Sequence, residues 1–288
     1  MSIKYIVFPK INPIIFSIGP IDFRWYGLMY LVGLIFALWL ANRRIHNIYN
    51  NWKKKELENI IYFCFFGAVL GGRIGYMLFY NLPLLIEDPL SLIKIWEGGM
   101  SFHGGLIGVV LVIIYFSYKN KYMFLEISDF ITPLVPFGLG AGRLGNFING
   151  ELWGRVTLKS PLAMMFSNAY HEDLLFALDN PRYQELLNYY GALPRHPSQL
   201  YEFFLEGILL FLILNIFIKK SRPIGSTSGL FLICYGIFRT TAEFFREPDI
   251  QLGFFYNTIS MGQILSIPMV IIGGIIIIWS NIRLKEKE

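Results

Sequence analysis

The sequence predicts an all-α, polytopic membrane protein of about seven transmembrane helices. Two observations carry that prediction. Of the 288 residues, 55% are apolar and only 16% are charged, whereas a soluble domain is about one quarter charged; the mean hydropathy is +0.50. Apolar stretches of near-bilayer length also recur along the chain, at roughly 25–41, 60–80, 99–118, 127–148, 199–218, 226–245 and 261–280, the first at the short limit for a span. The length fits one bundle with its loops, so residues 1–288 read as a single transmembrane domain.

Taken in order, the first 24 residues do not resemble a cleavable leader. Pro9, Pro13 and Pro20 interrupt the apolar run and no small-residue cleavage pattern follows, so this piece is expected to lie at the interface and lead into the first span. Trp25 and Tyr26 suit an aromatic anchor at its start. Basic residues then mark one side of the membrane. Arg43, Arg44, Lys53, Lys54 and Lys55 follow the first span, Lys119 and Lys121 the third, Lys219, Lys220 and Arg222 the fifth, and Arg283, Lys285 and Lys287 the seventh. Positive loops mark the cytoplasmic side, which predicts an amino terminus outside and a carboxyl terminus inside. The same distribution explains the net charge of +5 without nucleic acid, since no basic stripe with interleaved aromatics is present. Cys64 and Cys234 lie within apolar segments and read as packing residues, with neither disulfide nor metal spacing. Residues 149–198, between spans four and five, lack a long apolar run; they are expected to form a small extracytoplasmic head over the mouth of the bundle, with a helical piece around 171–190.

Three arginines, Arg73, Arg143 and Arg239, fall inside predicted spans. At a bilayer centre each costs at least about 2.5–3.5 kcal/mol, so each needs a partner or a purpose. With a rise of about 1.5 Å per residue, Arg143, Arg239 and Glu243 reach the outer half, level with Tyr26, His103 and Glu202 at the outer ends of their helices. Asp129 and Glu206 fall outside this level: Asp129 reads as an inner-end cap and Glu206 as structural. Guanidinium groups grip phosphate through paired hydrogen bonds, which suits a phospholipid headgroup. Arg239 and Glu243 share a helix face at i and i+4. His103 is the group here that ordinarily titrates near neutrality, and so a natural proton acceptor. Arg73 reads equally well as a packing residue.

Glycine-rich stretches surround these groups, and one of them, "GRLGNFINGELWG" at 142–154, resembles the signature of the bacterial prolipoprotein diacylglyceryl transferases. The resemblance extends to "RWYGLMY" at 24–30, "GGRIGY" at 71–76, "SFHGGLIG" at 101–108, "RHPSQLYE" at 195–202 and "FRTTAEFFREPD" at 238–249, in the family's order and over nearly the whole chain. It implies a bacterial inner-membrane enzyme whose site faces the outer leaflet. That enzyme transfers the sn-1,2-diacylglyceryl group of phosphatidylglycerol to the lipobox cysteine of a prolipoprotein, forming a thioether and releasing glycerol phosphate. No cofactor or metal is implied. The family's important positions fall on Tyr26, His103, Arg143, Asn146, Glu151, Gly154, Arg239 and Glu243; Arg143, Arg239, Gly154 and Glu202 are the expected phosphatidylglycerol contacts. The nucleophile belongs to the substrate, consistent with the inert setting of Cys64 and Cys234. A transporter or flippase would also use broken helices and buried charge, but its charges would line a path through the midplane. A scaffold would use the arginines for stability alone.

Overall fold

The computed structural model describes residues 5–9, 11–19, 21–48, 53–178, 180–248, 254–255 and 258–285. A short strand β1 (Ile6–Val7) opens the chain, followed by a hairpin of β2 (Ile14–Ile18) and β3 (Ile21–Arg24). Gly19, at φ +59°, takes the left-handed position in its turn. The expected interfacial piece therefore contains strands, a departure from a purely helical chain; its alternating Ile and Phe residues suit a pleated ribbon. β3 runs directly into α1 (Trp25–Ile48), which extends beyond the predicted first span. Then come α2 (Lys54–Phe79), a short α3 (Leu82–Glu87) and α4 (Phe102–Asn120).

The fourth expected span is a broken helix. α5 (Phe124–Ile131) passes through a 3-10 turn at Thr132–Leu134 into α6 (Val135–Asn149). Pro133 and Pro136 cannot donate backbone hydrogen bonds, which loosens the α-helical ladder at this junction. Residues 150–197 then form a compact insert. It holds β4 (Met164–Met165), α7 (Tyr170–Ala177), α8 (Pro181–Tyr190) and β5 (Pro194–Arg195). β4 lies between β1 and β5, parallel to the first and antiparallel to the second. The helical piece expected at 171–190 is divided, because Pro181 starts a new helix and the Asn180 side chain caps it by accepting from Arg182 N at 3.1 Å.

The fifth span is continuous but not uniform. α9 (Ser198–Glu202) widens into a π-helical stretch at Phe203–Leu209 and returns to α-helix in α10 (Leu210–Phe217). α11 (Ser226–Glu243), a small β6–β7 pair (Phe254–Phe255, Ile259–Ser260) and α12 (Met261–Lys285) complete the chain.

Among the described residues, six helical runs are long and apolar enough to cross a membrane: Trp25–Arg44, Lys54–Phe79, Phe102–Asn120, Phe124–Asn149, Ser198–Phe217 and Met261–Leu284. α11, expected as a further span, is not among them. Its sequence starts with Ser226, Thr227 and Ser228 and carries Arg239 and Glu243, and those polar groups turn inward. Asp129 explains its start: Oδ2 accepts from Gly225 N at 2.6 Å, and Oδ1 from Ser228 N at 2.7 Å and Ser228 Oγ at 2.6 Å. Asp129 thus caps a neighbouring helix across the bundle.

Packing joins α2 to α4, α1 to α6 and α11 to α12. Leu57, Ile60, Ile113, Phe116, Ile127, Phe130 and Leu134 form the main apolar core. Glycine sets the closest approaches: a Cβ on Gly75 would lie 2.8 Å from Gly104 Cα, and one on Gly140 would lie 3.0 Å from Gly207 Cα. The second contact brings α6 against the π-helical stretch, which decides the geometry of the site.

Candidate active site

Three arginines and three glutamates meet at the end of the bundle that carries the 150–197 insert. Glu202 and Glu206 are completely buried, at 0% exposure. They lie one turn apart, the first closing α9 and the second inside the π-helical stretch. Arg143 enters from α6, with Nε 3.1 Å from Glu202 Oε2 and Nη2 3.4 Å from Glu206 Oε2. Arg239 enters from α11. Its Nη1 pairs with Glu202 Oε1 and lies 3.6 Å from Glu206 Oε1, while Nη2 lies 2.5 Å from Glu243 Oε1. Arg246, just past α11, adds an Nη1 contact of 3.3 Å to Glu202 Oε1. Ser260 Oγ donates to Glu243 Oε2 at 2.7 Å and fixes that carboxylate from the other side.

Six charged side chains thus neutralise one another in a setting where any one alone would be costly. The carboxylates sit below and the guanidinium planes above: Arg143 and Arg239 keep side-chain exposures of 18% and 15%, while Glu202 and Glu206 keep none. Arg143 Nη1 and Arg239 Nε have no protein partner among the described residues. Two oriented cationic donors therefore remain for an anion. π-Helical turns often mark functional sites, because the extra residue re-aims side chains; here the turn carries Glu206 towards both arginines.

α6 continues the site beyond Arg143. Asn146 Nδ2 and Asn149 Nδ2 donate to Glu151 Oε1 at 2.9 and 3.3 Å. Gln199 Nε2 in turn holds the backbone of Glu151, donating to its carbonyl at 2.6 Å. Tyr26 rests on Gly145, where a Cβ would come within 2.9 Å of its Cδ2, and its hydroxyl lies 2.9 Å from that of Tyr30.

A family model described as prolipoprotein diacylglyceryl transferase matches residues 13–279. The chain belongs to this family. A phosphatidylglycerol–prolipoprotein diacylglyceryl transferase of Sodalis glossinidius (strain morsitans) is 59% identical over 288 residues, covering 100% of this chain and 99% of the relative. One from Erwinia tasmaniensis is 60% identical, with coverages of 100% and 98%, and one from Pectobacterium atrosepticum is 58% identical, with 100% of both chains covered.

In this family member, Arg143, Arg239, Glu202 and Glu243 share one cluster, with Asn146, Glu151 and Tyr26 on or against the same end of α6. Gly154 meets the cluster through backbone, beside Arg246. Its N–H donates to His196 O at 2.8 Å, it bridges to Arg246, and a Cβ there would lie 2.6 Å from His196 O. It is the point where the insert lies flat against the end of α11. Arg155 extends that seam, its Nη2 donating to Glu243 O at 3.0 Å and its Nε to Arg246 O at 2.9 Å. His196 lies in the same seam, its Nδ1 3.1 Å from Tyr201 Oη. Partial burial, with Arg155 nearby, pushes its pKa below the usual histidine value.

His103 is not drawn into the cluster. It is exposed in the first turn of α4, lies edge-on to Phe102, and has no hydrogen bond or ion pair to a described residue. Glu206, read from the sequence as structural and off the functional level, belongs to the cluster. Arg246, just past the end of α11, belongs to it too. Arg73 serves a different region: its guanidinium takes backbone carbonyls of residues 91–99. "GGRIGYML" at 71–78 resembles "AGRLGNFI" at 141–148, but the arginines of the two stretches have different partners.

Proposed function

We propose that this chain transfers the diacylglyceryl group of phosphatidylglycerol to the lipobox cysteine thiol of a prolipoprotein, as the first step of lipoprotein maturation. The observation that carries the reading is the arginine pair above two fully buried glutamates, with one cationic donor of each arginine left open. In this reading the lipid phosphate is held between Arg143 Nη1 and Arg239 Nε. Glu202, Glu206 and Glu243 keep both guanidinium planes oriented before substrate arrives.

The thiolate attacks the glycerol carbon bonded to the phosphate oxygen. A carbon–sulfur bond forms, the carbon–oxygen bond breaks, and the bonding pair leaves with the phosphate as glycerol phosphate. Negative charge grows on that leaving group, where the two arginines lower the barrier. A thiolate is needed because the thiol is a weak nucleophile. His103 takes the thiol proton in this scheme. Glu151 is the second candidate, favoured by its position one helical turn and a cap beyond Asn146 and by its second carboxylate oxygen, which has no described partner. Gly154 lets the insert seat closely over the bound headgroup, and Tyr26 lines the approach along α6. The insert acts as the extracytoplasmic head expected at 149–198. The site faces the outer leaflet of the inner membrane, where a secreted precursor emerges.

Purified protein with phosphatidylglycerol and a lipobox peptide should release glycerol phosphate, with the peptide gaining the mass of one diacylglyceryl group. Folded protein that releases none, under conditions where a relative is active, contradicts the assignment.

A further inference from the structure

The stretch between α2 and α4 has a composition that its conformation makes hard to place in water. After α3, residues 89–92 and 95–97 form single 3-10 turns, and Gly98 and Gly99 both take positive φ, at +84° and +79°. Its outward side chains are nevertheless large and apolar: Ile86 is 73% exposed, Leu90 and Ile93 are each 65% exposed, and Trp96 is 50% exposed. The charge it carries is partly neutralised, with Lys94 Nζ 2.8 Å from Asp88 Oδ2.

The inner side is held by one residue. Arg73, 3% exposed and six residues before the end of α2, donates from Nη2 to Ser91 O at 2.5 Å, from Nε to Leu92 O at 3.3 Å, and from Nη1 to Gly98 O and, at 3.3 Å, to Gly99 O. Ser101 N adds a bond of 2.8 Å to Gly72 O. An irregular backbone is normally excluded from lipid because its carbonyls find no donor there. A guanidinium supplies donors for four of them at once, on the protein side. The outward side is then free to be apolar, and it is continuous with the uncovered ends of two membrane helices, where Phe79 is 78% and Phe102 57% exposed.

We propose that residues 82–99 are an interfacial anchor embedded in bilayer lipid, with acyl chains covering Ile86, Leu90, Ile93 and Trp96, and that Arg73 makes this possible by satisfying the carbonyls of residues 91, 92, 98 and 99 from within. The paired Asp88 and Lys94 lie towards the headgroups, and Trp96 sits at the depth where indole rings gather. The anchor is independent of the transfer reaction.

The test uses the full chain in bilayer nanodiscs. The Trp96 emission is taken as the difference between wild type and Trp96→Phe. Lipids brominated near the headgroup end of the acyl chain should quench about half of it, lipids brominated at the chain terminus less, and aqueous iodide hardly any, as for an interfacial indole. Strong iodide quenching with no effect of brominated lipid overturns the proposal. So does protection from both quenchers, which would mean that a protein surface, such as a second copy, covers the segment. Arg73→Lys tests the clasp, because one ammonium cannot meet four carbonyls: iodide quenching of Trp96 should rise at least about two-fold. An unchanged profile in folded Arg73→Lys protein removes Arg73 from that role. If this variant does not fold, amide exchange at 91–99 in the wild type decides the point, and rapid exchange there contradicts the clasp.

Discussion

Arg143 and Arg239 owe their geometry to carboxylates that meet no solvent. Glu206 is the sharpest case, since it touches both arginines and has no other role in the described structure. Glu206→Gln should lower stability by about 3 kcal/mol, the cost of leaving buried charge uncompensated. It should also cut turnover, because the guanidinium planes lose their floor. Thermal unfolding in detergent, with glycerol phosphate release beside it, checks both. His103 and Glu151 can be separated in the same assay. His103→Gln should lose turnover by about 100-fold, whereas Glu151→Gln should lose less. A His103→Gln enzyme with near-normal turnover would shift the proton to Glu151. Four members of the ion cluster were legible in the sequence, because a charge inside an apolar span stands out. Glu206 was not, since it lies a turn deeper than Glu202 and nothing in the sequence reveals a π-helical turn. Arg246 was not, since it follows the helix end and counts there as an ordinary loop cation.

At the level of elements, the apolar segments were readable to within a few residues, while the breaks within them were not. The 3-10 turn at Thr132–Leu134 was foreshadowed by Pro133 and Pro136; the strands at 14–24 were hidden by a proline-rich stretch that resembled a plain interfacial tail. α11 shows how one element is seated by another. Its amino-terminal end is held by Asp129 of α5, and its far end by Arg155 of the insert. Asp129→Ala should therefore destabilise the fold by about 1–2 kcal/mol and leave the arginine cluster at the other end of α11 chemically intact. The expected signature is a lowered unfolding temperature with near-normal turnover at low temperature. A variant with unchanged stability would mean that water replaces the cap.

For the whole molecule, the elements converge because α1, α6, α9 and α11 each deliver polar groups at one end. The start of α1, the ends of α6 and α11, and the start of the α9–α10 run all meet under the insert. The distribution of basic residues predicts that this end lies outside the cytoplasm. In spheroplasts, a cysteine at His171 in a chain lacking Cys64 and Cys234 should react with a membrane-impermeant maleimide, while one at Lys119 should not; the reverse pattern would invert the molecule. Depth along the helices was readable from residue counting, but the meeting of the six ions was not, because it depends on the close approach of Gly140 and Gly207. The most direct measurement is glycerol phosphate release by Arg143→Lys and Arg239→Lys protein whose unfolding temperature stays near that of the wild type. A lysine keeps the charge but not the planar fork, so kcat/KM should fall at least about 100-fold in each. Turnover within about two-fold of the wild type in either variant would contradict a phosphate held between the two guanidinium groups.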